Sequence, residues 1–107
     1  MILPVVRDKN PKNLVGNTPL HYAAKSGFKR IFQMILDVVE DKNPRNNARD
    51  TPLHFAAERG YAWICRMILD MVEDKNAKND HGDTPFSLAK KYGHTNICDM
   101  IQVAMGQ

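Results

Sequence analysis

Two histidines, His21 and His54, lie 33 residues apart and are the first candidates for chemistry in this chain. A pair of imidazoles can ligate a metal ion or exchange a proton near neutral pH. Two histidines without a set of carboxylate or thiolate partners at ligand spacing nevertheless make a poor metal site. The sequence therefore predicts no metal centre, and nothing in it calls for another cofactor.

Three further side chains carry a nucleophilic atom, Cys65, Cys98 and Ser87. The cysteines lie within apolar helical patterns, where buried thiols are inert, and Ser87 has no identifiable base beside it. The chain also lacks a nucleophile elbow, a phosphate-binding loop, a glycine-rich dinucleotide loop and a paired-cysteine zinc motif. These observations predict that the protein is not an enzyme.

All these residues belong to a repeat. TPLHYAA begins at Thr18, TPLHFAA at Thr51 and TPFSLAK at Thr84, so the spacing is 33 residues both times. More than half of the positions in 8–40 are identical in 41–73. A fixed period of this length predicts an array of stacked units.

Each unit predicts a pair of helices. Thr18 is a good N-cap, Pro19 suits the first helical position, and Gly27 suits a left-handed C-cap. A second helix follows over about 28–38, with a broad apolar face, and the polar stretch 40–47 is a loop to the next unit. Such a pair cannot bury its apolar face alone, so neighbouring units must stack.

The period and the T-P-L-H-x-A-A core resemble the ankyrin repeat over essentially the whole chain. The resemblance implies an all-α solenoid of stacked helix-turn-helix units with hairpin-like loops. It implies that the motif histidine ties the helix start to the adjacent loop. We expect one domain over 1–107, with repeats at 8–40, 41–73 and 74–107, and with 1–7 as the remnant of a preceding repeat or an N-terminal cap.

One departure concerns Val39 and Val72, which stand where family members usually carry glycine after the second helix. Valine resists positive φ, so we expect this helix to run longer or to end differently. The two ends of the chain also differ. Phe86 and Ser87 replace the motif leucine and histidine, and Gln102, Lys90, Lys91 and Asp99 make the last unit more polar, as expected of a C-terminal cap. The N-terminal face lacks such polarity, which suggests missing upstream repeats or self-association through an apolar edge.

The bulk composition restricts the partners. Hydrophobic residues make up 43% of the chain, charged residues 25%, and the formal net charge is +3. No apolar run is long enough to span a bilayer, so we expect no membrane partner. Cys65 and Cys98 occupy equivalent positions in stacked helices, about 8–10 Å apart, which is too far for a disulfide. Reduced thiols favour an intracellular, cytoplasmic protein.

Several periodic side chains allow two interpretations. The lysines and arginine at 9, 42, 75, 12, 45 and 78 form basic ladders, which could attract an acidic partner or could be solvated loops neutralised by aspartates. Nucleic acid is an unlikely partner because no aromatic side chains accompany these ladders. The methionines at 34, 67 and 100 favour a core role over a binding stripe. Trp63 is either an exposed binding residue or packs on a neighbouring aliphatic side chain.

The resemblance also implies where a partner protein binds, namely a concave face built from the loop tips and the ends of the first helices. Carried onto this sequence, the tips are Leu14, Val15 and Asn17; Asn47, Ala48 and Asp50; and Asp80, His81 and Asp83. The helix-end positions are Lys25 and Ser26, Glu58 and Arg59, and Lys90 and Lys91. These positions vary among units while the framework repeats, and the apolar Leu14 and Val15 are the first candidate anchors.

The sequence therefore predicts a non-catalytic module that binds another protein. The alternative is a structural segment of a longer ankyrin array, or an engineered or reconstructed scaffold, with no partner of its own.

Overall fold

The computed structural model describes residues 11–106 and places six helices and no strand in that range. The helices are α1 (Pro19–Ser26), α2 (Lys29–Val38), α3 (Pro52–Arg59), α4 (Ala62–Leu69), α5 (Pro85–Lys91) and α6 (Thr95–Ala104). The first helices α1, α3 and α5 pack side by side in one layer, and α2, α4 and α6 form the second layer behind them. The predicted stack of helix pairs is confirmed.

Each first helix begins as its sequence predicts. Thr18, Thr51 and Thr84 have extended backbone, and each side chain accepts a hydrogen bond from the N–H three residues later. A proline follows at the first helical position, where its missing N–H costs nothing. α1 then ends at Gly27 with φ 74°. The same local chemistry therefore sets the start of the first helix in all three units.

The core lies between the two helix layers. The first helices contribute buried leucine and pairs of alanine, such as Ala56 and Ala57, whose small side chains let neighbouring helices approach closely. The second helices contribute larger residues, including Phe32, Ile64 and Ile97, all almost fully buried. Burial of this apolar surface is the main force that holds the units together.

The second helix ends without a left-handed residue. Val39 is buried with extended backbone at φ −88° and ψ 149°, as the absence of glycine predicts. The ammonium group of Lys42 donates to the carbonyl oxygens of Leu36, at 2.6 Å, and Val39, at 2.8 Å. Lys75 donates in the same way to Val72. In a helix with a glycine C-cap, backbone N–H groups donate to the last carbonyl groups. Here the lysine side chain donates to them instead.

This arrangement predicts a stability cost for Lys42→Met. Methionine keeps most of the unbranched side chain but removes the charged donor, so two carbonyl oxygens lose a partner. We expect the free energy of unfolding to fall by about 1–2 kcal/mol, as for other hydrogen bonds to charged groups. Lys78→Met, at an exposed position in the next loop, is the control. Urea denaturation of both variants checks the prediction, and equal stabilities would contradict it.

The prediction that the methionines are core residues is wrong for Met34, which lies at the N-terminal side of the stack. Met34 is 63% exposed and Ile31 is 50% exposed, whereas Ile64, in register with Ile31, is buried. Met67 and Met100, in register with Met34, are half-buried and pack against the core, as predicted. Among the described residues, α2 has no helix on its outer side, so its apolar side chains are uncovered. The segment Met1–Val6, with Pro4, and the basic residue Lys9 lie outside the described residues.

The C-terminal side is polar. Lys90 is exposed and in register with Ala24 and Ala57, which are fully buried. Gln102 is exposed and in register with Leu36, which is buried. These substitutions suit the end of a stack, although the division of the chain at residue 74 stays a prediction. None of the helices described is long and apolar enough to cross a membrane.

Candidate functional site

The two candidate histidines are buried structural residues. In His21, Nδ1 lies 3.0 Å from the backbone nitrogen of Thr18, and Nε2 lies 2.8 Å from the carbonyl oxygen of Asp50 in the next unit. His54 makes the same pair of contacts with Thr51 and Asp83. A carbonyl only accepts, so Nε2 carries the proton and Nδ1 accepts from the threonine N–H. Each neutral imidazole therefore ties one helix start to the following loop.

Burial is the main cause of a lowered pKa in both histidines, and the hydrogen bond to the next loop's carbonyl only partly opposes it. Burial disfavours the charged imidazolium. Within the described residues, no group of three histidine, cysteine, aspartate or glutamate side chains could hold a metal ion. The arrangement supports a structural role for His21 and His54.

The contacts and burial of the candidate nucleophiles also favour a structural role over a catalytic one. Ser87 replaces the histidine in the third unit, where its Oγ accepts from the Thr84 N–H at 2.9 Å and donates to the Thr84 carbonyl at 3.0 Å. Cys65 and Cys98 are both free thiols. Burial raises the pKa of the Cys65 thiol to about 12, so it is protonated at neutral pH. A protonated thiol is a poor nucleophile.

The loop tips are fixed by an asparagine that sequence analysis missed. In the second unit, the Asn46 side-chain oxygen accepts from the N–H groups of Ala48 and Asp50, at 3.0 and 2.8 Å. Its amide nitrogen donates to the Asn17 side chain at 2.9 Å. Asn79 repeats this pattern one unit later, with its amide donating to Asp50 at 2.8 Å. The 33-residue spacing of these asparagines was the available signal.

Backbone hydrogen bonds join neighbouring tips. The Asn47 N–H donates to Val15 O at 3.0 Å, and the Asp80 N–H donates to Ala48 O at 2.9 Å. The three tips therefore form one connected row. Side chains on such a row have defined positions because the backbone beneath them is tied on both sides.

Most of the predicted contact residues reach solvent. Leu14 is 98% exposed and Val15 is 55% exposed. The other exposed members are Ser26, Asn47, Arg59, Asp80, His81, Lys90 and Lys91. The half-buried members are Lys25, Ala48, Asp50, Glu58 and Asp83. Both groups are open to a partner to some extent.

Two predicted contact residues need correction. Asn17 is buried, and its side-chain oxygen accepts from Asn46, so it supports the next loop and is not available to a partner. Lys90 lies in register with the buried alanines Ala24 and Ala57 on the end face of the stack. The exposed residue in register with Arg59 is Tyr92. The helix-end row of the third unit is therefore formed by Lys91 and Tyr92.

Arg49 is a tip residue that the sequence analysis did not select. It has φ 65° and is the only non-glycine residue of the described chain with positive φ. The other two tips have Gly16 and Gly82 at this position, with φ 82° and 78°. The feature of the sequence that could have identified Arg49 was the absence of glycine from this position in one repeat alone.

The basic ladders and Trp63 have partners within the fold. Lys12 donates to the carbonyl of Arg45 at 2.9 Å, and Arg45 lies 3.3 Å from the Asp74 carboxylate. Trp63 is 58% exposed on the second layer, and the Lys29 ammonium lies 4.5 Å from its ring centroid. The tryptophan thus faces solvent and also packs against a neighbouring unit through a cation–π contact.

A family model for ankyrin repeats in three copies matches residues 2–79, which is more than half of the chain. Comparison with curated proteins finds no match. Beyond residue 79, α5 and α6 repeat the helix pair of the first two units. Together with the capped helix starts and the tied loop tips, the match shows that this chain belongs to the ankyrin repeat family.

Proposed function

We propose that the chain is a non-catalytic interaction module that binds a partner protein through its loop tips and the adjoining ends of the first helices. Ankyrin repeats are generally protein-interaction modules and are typically non-catalytic. The observation that carries the proposal is the pair Leu14 and Val15, which present apolar side chains to solvent from a hydrogen-bonded backbone. The described part of the chain leaves this anchor uncovered, so its apolar surface is available to another molecule.

The physical advantage of this surface is that it is preformed. Ordering a flexible loop on binding costs conformational entropy, and this cost lowers affinity. Here the asparagine side chains and the backbone contacts between tips fix the loops before a partner arrives. The two free thiols support the further proposal of an intracellular, cytoplasmic setting.

Affinity capture from cytosol of the source organism tests the proposal. The tip variant carries Leu14→Ser and Val15→Ser, and the matched control carries Val38→Ser and Val103→Ser, two exposed valines on the second layer. We expect a partner that the parent and the control retain and that the tip variant loses by at least about tenfold, as for a buried anchor. Melting temperatures of parent and tip variant should agree.

The alternative role, as a structural segment of a longer array, has its own supporting observation. The Tyr61 and His94 rings lie against Gly27 and Gly60 of the preceding unit, yet Phe28, in the same register, is 57% exposed. Residues 1–10 repeat the sequence of 34–43 except at Pro4 and Arg7. Both facts suit a preceding repeat that covers Phe28.

The capture experiment separates the two roles. If the parent and the tip variant retain the same proteins, or none, the tip surface is not the binding site and the structural role is favoured. Sedimentation velocity then decides whether a second copy covers the apolar edge, since a dimer would dissociate in Phe28→Lys.

A further inference from the structure

At Arg49 the repeat loses the glycine that the other two tips have, and this substitution costs conformational free energy. A side chain with a Cβ atom is disfavoured at positive φ, and glycine is the residue that relieves this strain. Both other tips have glycine in this register, and Arg49 keeps nearly the same backbone conformation at φ 65°. The arginine therefore lowers the stability of the second tip relative to glycine.

Nothing within the described fold compensates for this cost. The Arg49 side chain is 63% exposed, and its single ion pair joins Nε to the Asp80 carboxylate at 4.0 Å. The Asp80 side chain is itself 51% exposed, and an ion pair between such groups stabilises a protein little. The terminal nitrogens of the guanidinium have no partner among the described residues. Arg49 thus presents a charged group with two unpartnered terminal nitrogens, which carry four N–H donors, at the centre of the tip row.

The neighbours of Arg49 differ in chemistry. Before it in the row lie the apolar Leu14 and Val15, and after it lie Asp80 and His81. Backbone hydrogen bonds hold these three tips in fixed order. Neighbouring units in a helix stack lie about 8–10 Å apart, so an apolar site and a cationic site are separated by roughly that distance.

We propose that the tip row binds an extended segment of the partner in which an apolar side chain and a carboxylate are about three residues apart. An extended segment in the polyproline II conformation rises about 3.1 Å per residue with three residues per turn, so side chains three residues apart lie on the same side and match one repeat spacing. The apolar side chain contacts Leu14 and Val15, and the carboxylate pairs with the Arg49 guanidinium, whose planar donors suit a two-point contact. This inference rests on the proposed function and adds the chemistry of the partner to it.

A random library of 12-residue peptides displayed on phage, selected against the intact chain, supplies the probe. We expect enrichment of aspartate or glutamate about three residues from an apolar residue. A synthetic peptide of the enriched sequence should bind Arg49→Gly at least tenfold more weakly than the parent by fluorescence anisotropy. Arg66→Gln, which removes an exposed arginine from the second layer, should leave the affinity unchanged.

A second peptide with the acid replaced by its amide shows whether the pairing is direct. On the parent, the amide peptide should bind as weakly as the original peptide binds to Arg49→Gly. On Arg49→Gly, the two peptides should bind equally, because the partner charge is already gone. The melting temperature of Arg49→Gly should equal or exceed that of the parent, so that weaker binding cannot be ascribed to unfolding.

The outcomes distinguish this inference from the function on which it rests. Peptides that lack the acid, or that bind Arg49→Gly as well as the parent, overturn the role of Arg49. If those peptides still bind the Leu14→Ser, Val15→Ser variant more weakly than they bind the parent, the proposed function stands. Peptides indifferent to both variants, or no enrichment at all, count against the inference and the proposed function together.

Discussion

Gly27→Ala will destabilise the protein by about 3 kcal/mol, the sum of a left-handed backbone cost of about 1–2 kcal/mol and an overpacking cost of similar size. The backbone at Gly27 has φ 74°, and a Cβ atom there would lie 2.7 Å from the Tyr61 ring. The ring must move away, and the contact between the first and second units loosens with it.

The chain contains its own control for this prediction. Gly93 has φ 79°, but a Cβ atom there would meet nothing within 4 Å. Gly93→Ala should therefore show the backbone cost alone, about 1–2 kcal/mol. Urea denaturation of both variants measures the difference. Equal losses of unfolding free energy would mean that the Tyr61 ring moves aside without an energetic cost, and would contradict the predicted packing cost.

Acidification below pH 6.5 will destabilise the protein through His21 and His54. An unfolded histidine takes up a proton near pH 6.5, whereas burial lowers the pKa of both folded residues. Between the two pKa values the unfolded state binds more protons, so the free energy of unfolding falls as the pH falls. The stabilisation is fully present above about pH 6.5, with a limiting loss of roughly 1.4 kcal/mol per pH unit for each histidine below it.

His54→Ser provides the matched variant, because the third unit already has serine in this register. Ser87 forms the helix cap without a ring that reaches the next loop. We expect His54→Ser to lose about 2–3 kcal/mol at pH 7.5, from the unpaired Asp83 carbonyl and the space left by the ring. Thermal unfolding between pH 5 and 7.5 should also show a weaker pH dependence than in the parent. An unchanged slope would exclude His54 as the titrating group.

The helix pairs could be predicted because their signals are local. A threonine followed by proline specifies a helix start through its own hydroxyl and ring, whatever the rest of the chain does. The role of the motif histidine followed from the family resemblance, and the distances to Asp50 and Asp83 bear it out. These features needed only the repeat and the chemistry of single residues.

The site was harder to predict because it depends on contacts between units. The periodic pattern of Lys42 is the same whether its ammonium group lies in solvent or donates to the Val39 carbonyl. Which of the two occurs depends on the path of the backbone after α2. Asn17 belongs to an exposed loop, but a side chain from the next unit buries it. Met34 has the pattern of a core residue, and periodicity cannot tell which unit stands at the end.

The polar face formed by α5 and α6 restricts where a further repeat can be added to the array. A unit added after α6 would have to cover Lys90 at a position where the other units bury alanine, and burying an unpaired ammonium group is costly. A duplication inside the stack, by contrast, reproduces an interface that already fits on both sides. Such a duplication would produce neighbouring units of closely similar sequence, and more than half of the positions in 8–40 are identical in 41–73.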